Sequence, residues 1–66
     1  MQTKVGERIK TLRISKKITQ YDLALECGFE KASMSRIESG QSNPTLRTLC
    51  RISKALDVPI VEFFKD

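Results

Sequence analysis

Sixty-six residues cannot divide their apolar side chains between two cores, so residues 1–66 are expected to form a single domain, one with little stability to spare unless a partner subunit adds some. A hydrophobic content of 39% excludes a chain too polar to collapse. Twelve Lys and Arg against eight Asp and Glu leave a net charge of +4. Residues 1–18 carry Lys4, Arg8, Lys10, Arg13, Lys16 and Lys17 against Glu7 alone, and residues 40–56 carry Arg47, Arg51 and Lys54 with no acid. Basic charge gathered onto two segments suits a polyanion surface, although an ordinary basic domain can show the same balance.

Cys27 and Cys50 lie far apart, and the chain has no histidine. A structural zinc needs four nitrogen or sulfur ligands, so no metal site is expected. Both cysteines fall on apolar helical positions and are expected to be reduced core thiols. No apolar run approaches the ~20 residues of a membrane span, and no signal-peptide pattern opens the chain. A cytoplasmic protein without a membrane partner is therefore expected.

Val5, Ile9 and Leu12, with the stem of Lys16, recur at i, i+4, i+7 and i+11 and predict an amphipathic helix from about 4 to 16. Thr19 stands three residues before Asp22, a helix-start signature, and Leu23, Ala24 and Cys27 supply the buried face of a second helix over about 20–27. Gly28 can take the left-handed conformation that ends such a helix, with Phe29 as an apolar lid. A third helix is predicted over about 31–39, with Met34 and Ile37 inward and Gly40 as its stop. After the loop Gln41-Ser42-Asn43-Pro44, Thr45 caps a fourth helix carrying Leu46, Leu49, Ile52, Ser53 and Leu56. Pro59 suits the first turn of a fifth, with Ile60, Phe63 and Phe64 making it strongly apolar. Nothing alternates with the period of a β-strand.

Two short helices joined around a glycine, the second with polar residues outward, make the helix-turn-helix pattern. The runs Thr19-Gln20-Tyr21-Asp22-Leu23-Ala24, Gly28, Ser33-Met34-Ser35-Arg36-Ile37-Glu38-Ser39-Gly40 and Asn43-Pro44-Thr45-Leu46 closely resemble the Xre, or Cro/repressor, family of bacterial and phage regulators. The resemblance covers the chain from about Val5 to Phe64 and implies an all-α, five-helix, lambda-repressor-like fold. It also implies that the third helix enters the major groove of double-stranded DNA, which accepts an α-helix and displays a distinct donor and acceptor pattern for each base pair. Lys31, Ala32, Ser35 and Arg36 match the base-facing positions of the family, with Ser33 close behind. Lys31 and Arg36 suit guanine O6 and N7, and Ala32 suits a thymine methyl. Without the resemblance these side chains would read as an ordinary solvated helix face.

Gln20 sits at the first turn of helix 2, where backbone N–H groups and the positive dipole end receive a phosphate. Gln41, Ser42 and Asn43, with small polar side chains and free amides leading into helix 4, read as a second phosphate clamp. Arg13 and Glu38 match a family pair that ties helix 1 to the end of the recognition helix and can also turn the arginine toward phosphate. The chief departure is Glu30, where the family has a small capping residue. A glutamate caps poorly and sets negative charge near the DNA, unless it accepts from a cytosine amino group. Pro59 likewise replaces a polar cap.

One short helix reads only a few base pairs, and the family answers with two-fold symmetry. Val61 and Phe64 are expected to be exposed on a monomer and covered in a homodimer, the rival placement being Phe64 folded back on helix 1. The function read from the sequence is a sequence-specific transcriptional regulator, a repressor on a near-palindromic operator, with RNA polymerase as a further partner if it activates. No effector domain, small-molecule effector, cofactor or enzymatic activity is expected, since no base partner for a Ser or Cys nucleophile is visible. The alternative is a protein-interaction module, such as an antitoxin whose apolar C-terminal helix binds another protein.

Overall fold

The structure, a computed structural model describing residues 2–65, runs α1 (Gln2–Ser15), α2 (Gln20–Cys27), α3 (Lys31–Ser39), α4 (Leu46–Leu56) and a final 3₁₀ helix (Ile60–Phe64), with no strand among the described residues. The fold class is the all-α one expected from the sequence.

Local chemistry explains the boundaries. Thr19, in extended conformation, accepts a hydrogen bond from the Asp22 amide at 3.0 Å and starts α2. Gly28 ends it at φ 74°, while the Phe29 amide reaches back to the Ala24 carbonyl at 2.8 Å, which turns the chain toward α3. Gly40, at φ 81°, stops α3 in the same way. Thr45 caps α4 by accepting from the Thr48 amide at 3.2 Å. Helix α1 ends at Ser15 rather than Lys16 because Lys17 takes a positive φ of 60°, and the exposed Lys16 adds no stem to the buried stripe.

The last element is a 3₁₀ helix rather than an α-helix. Pro59 stands before it as its cap, and the Glu62 amide closes a three-residue loop onto the Pro59 carbonyl at 3.0 Å. Over only five residues α-helical bonding does not outcompete the tighter turn.

The core joins Ile9 of α1, Leu23, Ala24 and Cys27 of α2, Met34 and Ile37 of α3, Leu49, Ile52 and Leu56 of α4, and Phe63. Helix α1 packs on α3 and the 3₁₀ helix, and α2 packs on α3 and α4. Two expectations for α4 fail. Leu46 is 69% exposed, because the buried stripe begins at Leu49 and the first turn of the helix projects past the core. Cys50 is exposed too: one residue beyond Leu49 is a rotation of about 100° off the stripe, so only Cys27 is a core thiol. Burial raises the Cys27 thiol above its ordinary pKa, with the nearby Glu26 adding to the shift against Arg51, and keeps it protonated at neutral pH.

Gly6 carries a constraint that periodicity does not reveal. A Cβ there would collide with the Ile37 carbonyl oxygen and come within 2.8 Å of that of Glu38, so α1 can cross the C-terminal turn of α3 this closely only at a glycine. Gly6→Ala should destabilise the fold by about 1–3 kcal/mol despite the better helix propensity of alanine, as read by urea unfolding. Stability equal to the parent would mean that the two helices separate at no cost.

Candidate nucleic-acid interface

Helix α3 owes its orientation to what lies beneath it. Met34, Ile37 and Glu38 are buried, and this leaves Lys31, Ala32, Ser35 and Arg36 exposed on the outer face with Ser33 half-buried at its edge. The five residues expected to face bases therefore share one side of one helix. The backbone behind Arg36 is firmly held, because its carbonyl accepts from the amides of Gln41 at 2.9 Å and Ser42 at 3.2 Å and from the Ser39 hydroxyl at 3.2 Å. An exposed side chain on a fixed backbone suits a group that must find one base edge.

The same bonds correct one part of the loop expectation. The Gln41 and Ser42 amides are spent capping α3, so they are not free donors for a phosphate. What the loop offers outward is side chains, with Gln41 and Asn43 exposed and Ser42 half-buried. A depression of about 280 Å³ joins Ser33 and Arg36 to Ser42, Asn43, Thr45 and Thr48 over a floor that includes Phe29 and Ile37. Two base-facing candidates and two phosphate-facing ones thus meet in one concavity. Thr48 went unnoticed in the sequence. Its signal was its place three residues after the cap Thr45, whose hydroxyl lies 3.1 Å from its own.

Glu38 gathers four elements. Its Oε2 accepts from Arg13 Nε at 2.7 Å, and its Oε1 accepts from Arg13 Nη2 at 3.1 Å and from Gln20 Nε2 at 3.1 Å. Arg13 Nη1 donates to the Ile18 carbonyl at 2.8 Å. The two charged side chains are only 10% and 3% exposed. Every nitrogen of the Arg13 guanidinium makes a bond inside the protein, which is the structural half of the role expected for it, while Nη1 and Nη2 each keep a second N–H. Gln20 is half-buried with one N–H turned inward to Glu38, and its amide nitrogen keeps a second N–H. No buried side-chain polar atom among the described residues lacks a partner.

At the other end of α3, Glu30 occupies the cap position at φ −76° and ψ 150° but makes no side-chain capping bond. The weak capping expected of a glutamate is what the geometry shows. Val61 and Phe64 are 54% and 58% exposed, so Phe64 does not fold back on α1. Among the described residues no helix is long and apolar enough to cross a membrane.

Residues 9–63 match the family model described as helix-turn-helix, and the chain belongs to that family. It is 37% identical over 62 residues to an uncharacterised HTH-type transcriptional regulator, y4dJ, of Sinorhizobium fredii, covering 94% of this chain and 80% of that one. It is 36% identical over 56 residues to the immunity repressor protein of Bacillus phage phi105, covering 85% of this chain but only 39% of the repressor. Its structure superposes on the crystal structure of the restriction-modification controller protein C.AhdI from Aeromonas hydrophila with a TM-score of 0.93 at 32% identity, covering 96% of each chain.

The Arg13–Glu38 pair makes a direct prediction. Arg13→Ala should cost about 3–5 kcal/mol, because it strands a buried carboxylate, and that is enough to unfold much of so small a domain. The double variant Arg13→Met/Glu38→Leu should recover to within about 1 kcal/mol of the parent, since neither charge is then left alone. Circular dichroism through a urea titration reads both, and an additive double variant would disprove the coupling.

Proposed function

We propose that residues 1–66 act as one DNA-binding unit, a transcriptional regulator rather than an enzyme, which binds a near-palindromic operator as a homodimer. The observation that carries this reading is the outer face of α3, polar from Lys31 to Arg36 and braced from within by Met34, Ile37 and the Arg13–Glu38 pair. Lys31 and Arg36 supply the donor groups suited to guanine, Ser33 and Ser35 short hydroxyls for either kind of base-edge atom, and Ala32 a methyl for thymine. Ser42, Asn43 and Gln41, with the second N–H of Gln20, set the register against phosphates.

Membership of the helix-turn-helix family supports the DNA target, and similarity to a phage repressor and a controller protein supports action on transcription. Repression follows from the simplest physical outcome, exclusion of polymerase from an occupied promoter; contact with RNA polymerase from a neighbouring site would activate. Val61 and Phe64 form the homodimer contact. Two bodies of 25 × 22 × 20 Å set side by side together span more than the ~34 Å repeat of DNA, so two helices one repeat apart fit within such a dimer.

Selection from random duplexes should return a two-fold symmetric site with half-sites about 10 base pairs apart. On that site Arg36→Ala should cost about 1–3 kcal/mol and relax preference at one position per half-site. Unchanged selectivity in both Arg36→Ala and Lys31→Ala would remove α3 from the reading role.

Glu30→Ser should act on two properties at once. Supplying the missing cap should stabilise the fold by about 0.5–1 kcal/mol in thermal unfolding. Removing a carboxylate beside the phosphates should tighten binding, with the largest gain at low salt in a fluorescence anisotropy titration. Weaker binding to one base pair alone would instead mark Glu30 as a reader of cytosine.

A further inference from the structure

The pair expected to join two subunits is mounted on a segment that cannot hold its own shape. A five-residue 3₁₀ helix has poor hydrogen-bond geometry and no length over which to propagate, so its direction must come from outside. One anchor is Phe63, 1% exposed, whose ring is a pivot in the core. Ile60 packs half-buried against the same core at the start of the segment, but apolar contacts are non-directional and do not fix rotation about them.

The directional anchor comes from α1. Arg8 Nε donates to the main-chain carbonyl of Glu62 at 3.0 Å, and its Nη2 donates to the Glu62 carboxylate at 3.2 Å. Lys65 closes on the other carboxylate oxygen at 2.9 Å. The Lys65 hydrogen bond first, then the charges of Lys65 and Arg8, hold the Glu62 carboxyl below its ordinary pKa, so it is ionised at neutral pH. Side chains three apart eclipse one another in a 3₁₀ helix, which stacks Val61 and Phe64 into one exposed stripe while Phe63 points inward.

From this geometry we infer that Arg8 is a positioning residue for self-association, fixing the 3₁₀ helix from α1 through the backbone and side chain of Glu62 so that Val61 and Phe64 are presented as one pre-set stripe to a second copy of this chain. The inference rests on the homodimer reading above. Its energetic content is preorganisation, since a segment already ordered in the monomer loses less freedom when the dimer forms.

Sedimentation equilibrium well below the unfolding midpoint tests it. Arg8→Met keeps the aliphatic stem and removes both donors, and it should raise the dimer dissociation constant roughly tenfold with helicity unchanged. Arg8→Lys, a cation without the two-point grip, should fall between the parent and Arg8→Met. Glu62→Ala leaves the carbonyl contact in place and should raise the constant by roughly threefold. It also serves as the second variant if Arg8→Met folds poorly.

An anchor that serves only the monomer would lower the unfolding midpoint and leave the dissociation constant of the folded protein within twofold of the parent, and that result overturns the inference. Phe64→Ala separates the two readings. If it breaks the dimer while Arg8→Met does not, positioning by Arg8 fails and the dimer contact stands. If neither changes the oligomeric state, Phe64 is not at the contact and both readings fall.

Discussion

A carboxylate that is 3% exposed holds this molecule together. Glu38 lies at the last turn of α3 and is met by Arg13 from the last turn of α1 and by Gln20 from the first turn of α2. Arg13 in turn holds the carbonyl of Ile18 in the connection between α1 and α2. Three helices and a turn are thereby referred to a single side chain. Burying two charges is expensive, and a well-packed apolar pair of similar volume would often be as stable. What the ion pair adds here is direction: its hydrogen bonds are satisfied only when α3 lies at one angle across α1, whereas an apolar contact would tolerate sliding.

That angle matters because the outer face of α3 is useful only if it is aimed. Gly6 removes the one Cβ that would hold α1 away from the carbonyls of Ile37 and Glu38, and the amides of Gln41 and Ser42 close on the carbonyl of Arg36. The helix is fixed from beneath by the core, from the side by the ion pair and at its C-terminal end by the loop. Only its N-terminal end is loosely finished, at Glu30, where a capping bond is missing.

The two working surfaces lie on different elements and are linked through α1. Its C-terminal turn supplies Arg13 to α3, and an earlier turn supplies Arg8 to the 3₁₀ helix that carries Val61 and Phe64. A single rigid helix thus sets the relation between the surface proposed for reading DNA and the one proposed for pairing subunits. The spacing of two recognition helices in a dimer depends on that relation.

Most of the fold was legible before any coordinates, because each α-helix announces itself through interactions local in the chain. The Thr19 and Thr45 caps, the left-handed Gly28 and Gly40 and the inward stripe of Leu23, Ala24 and Cys27 all act within four or five residues of themselves. The α3 face was legible for the same reason, since Met34 and Ile37 determine by their spacing what must point outward. Tertiary structure alone decided the rest. Periodicity does not say where a core stops, so Leu46 and Cys50 were misplaced. It does not separate the 3₁₀ turn from the α turn over only five residues, so a 3₁₀ helix was taken for an α-helix. The need for Gly6, the loss of the Gln41 and Ser42 amides to capping and the grip of Arg8 on Glu62 all depend on how close two segments come in space. Sequence determines local preference, whereas approach distances between residues far apart in the chain exist only once the helices have packed.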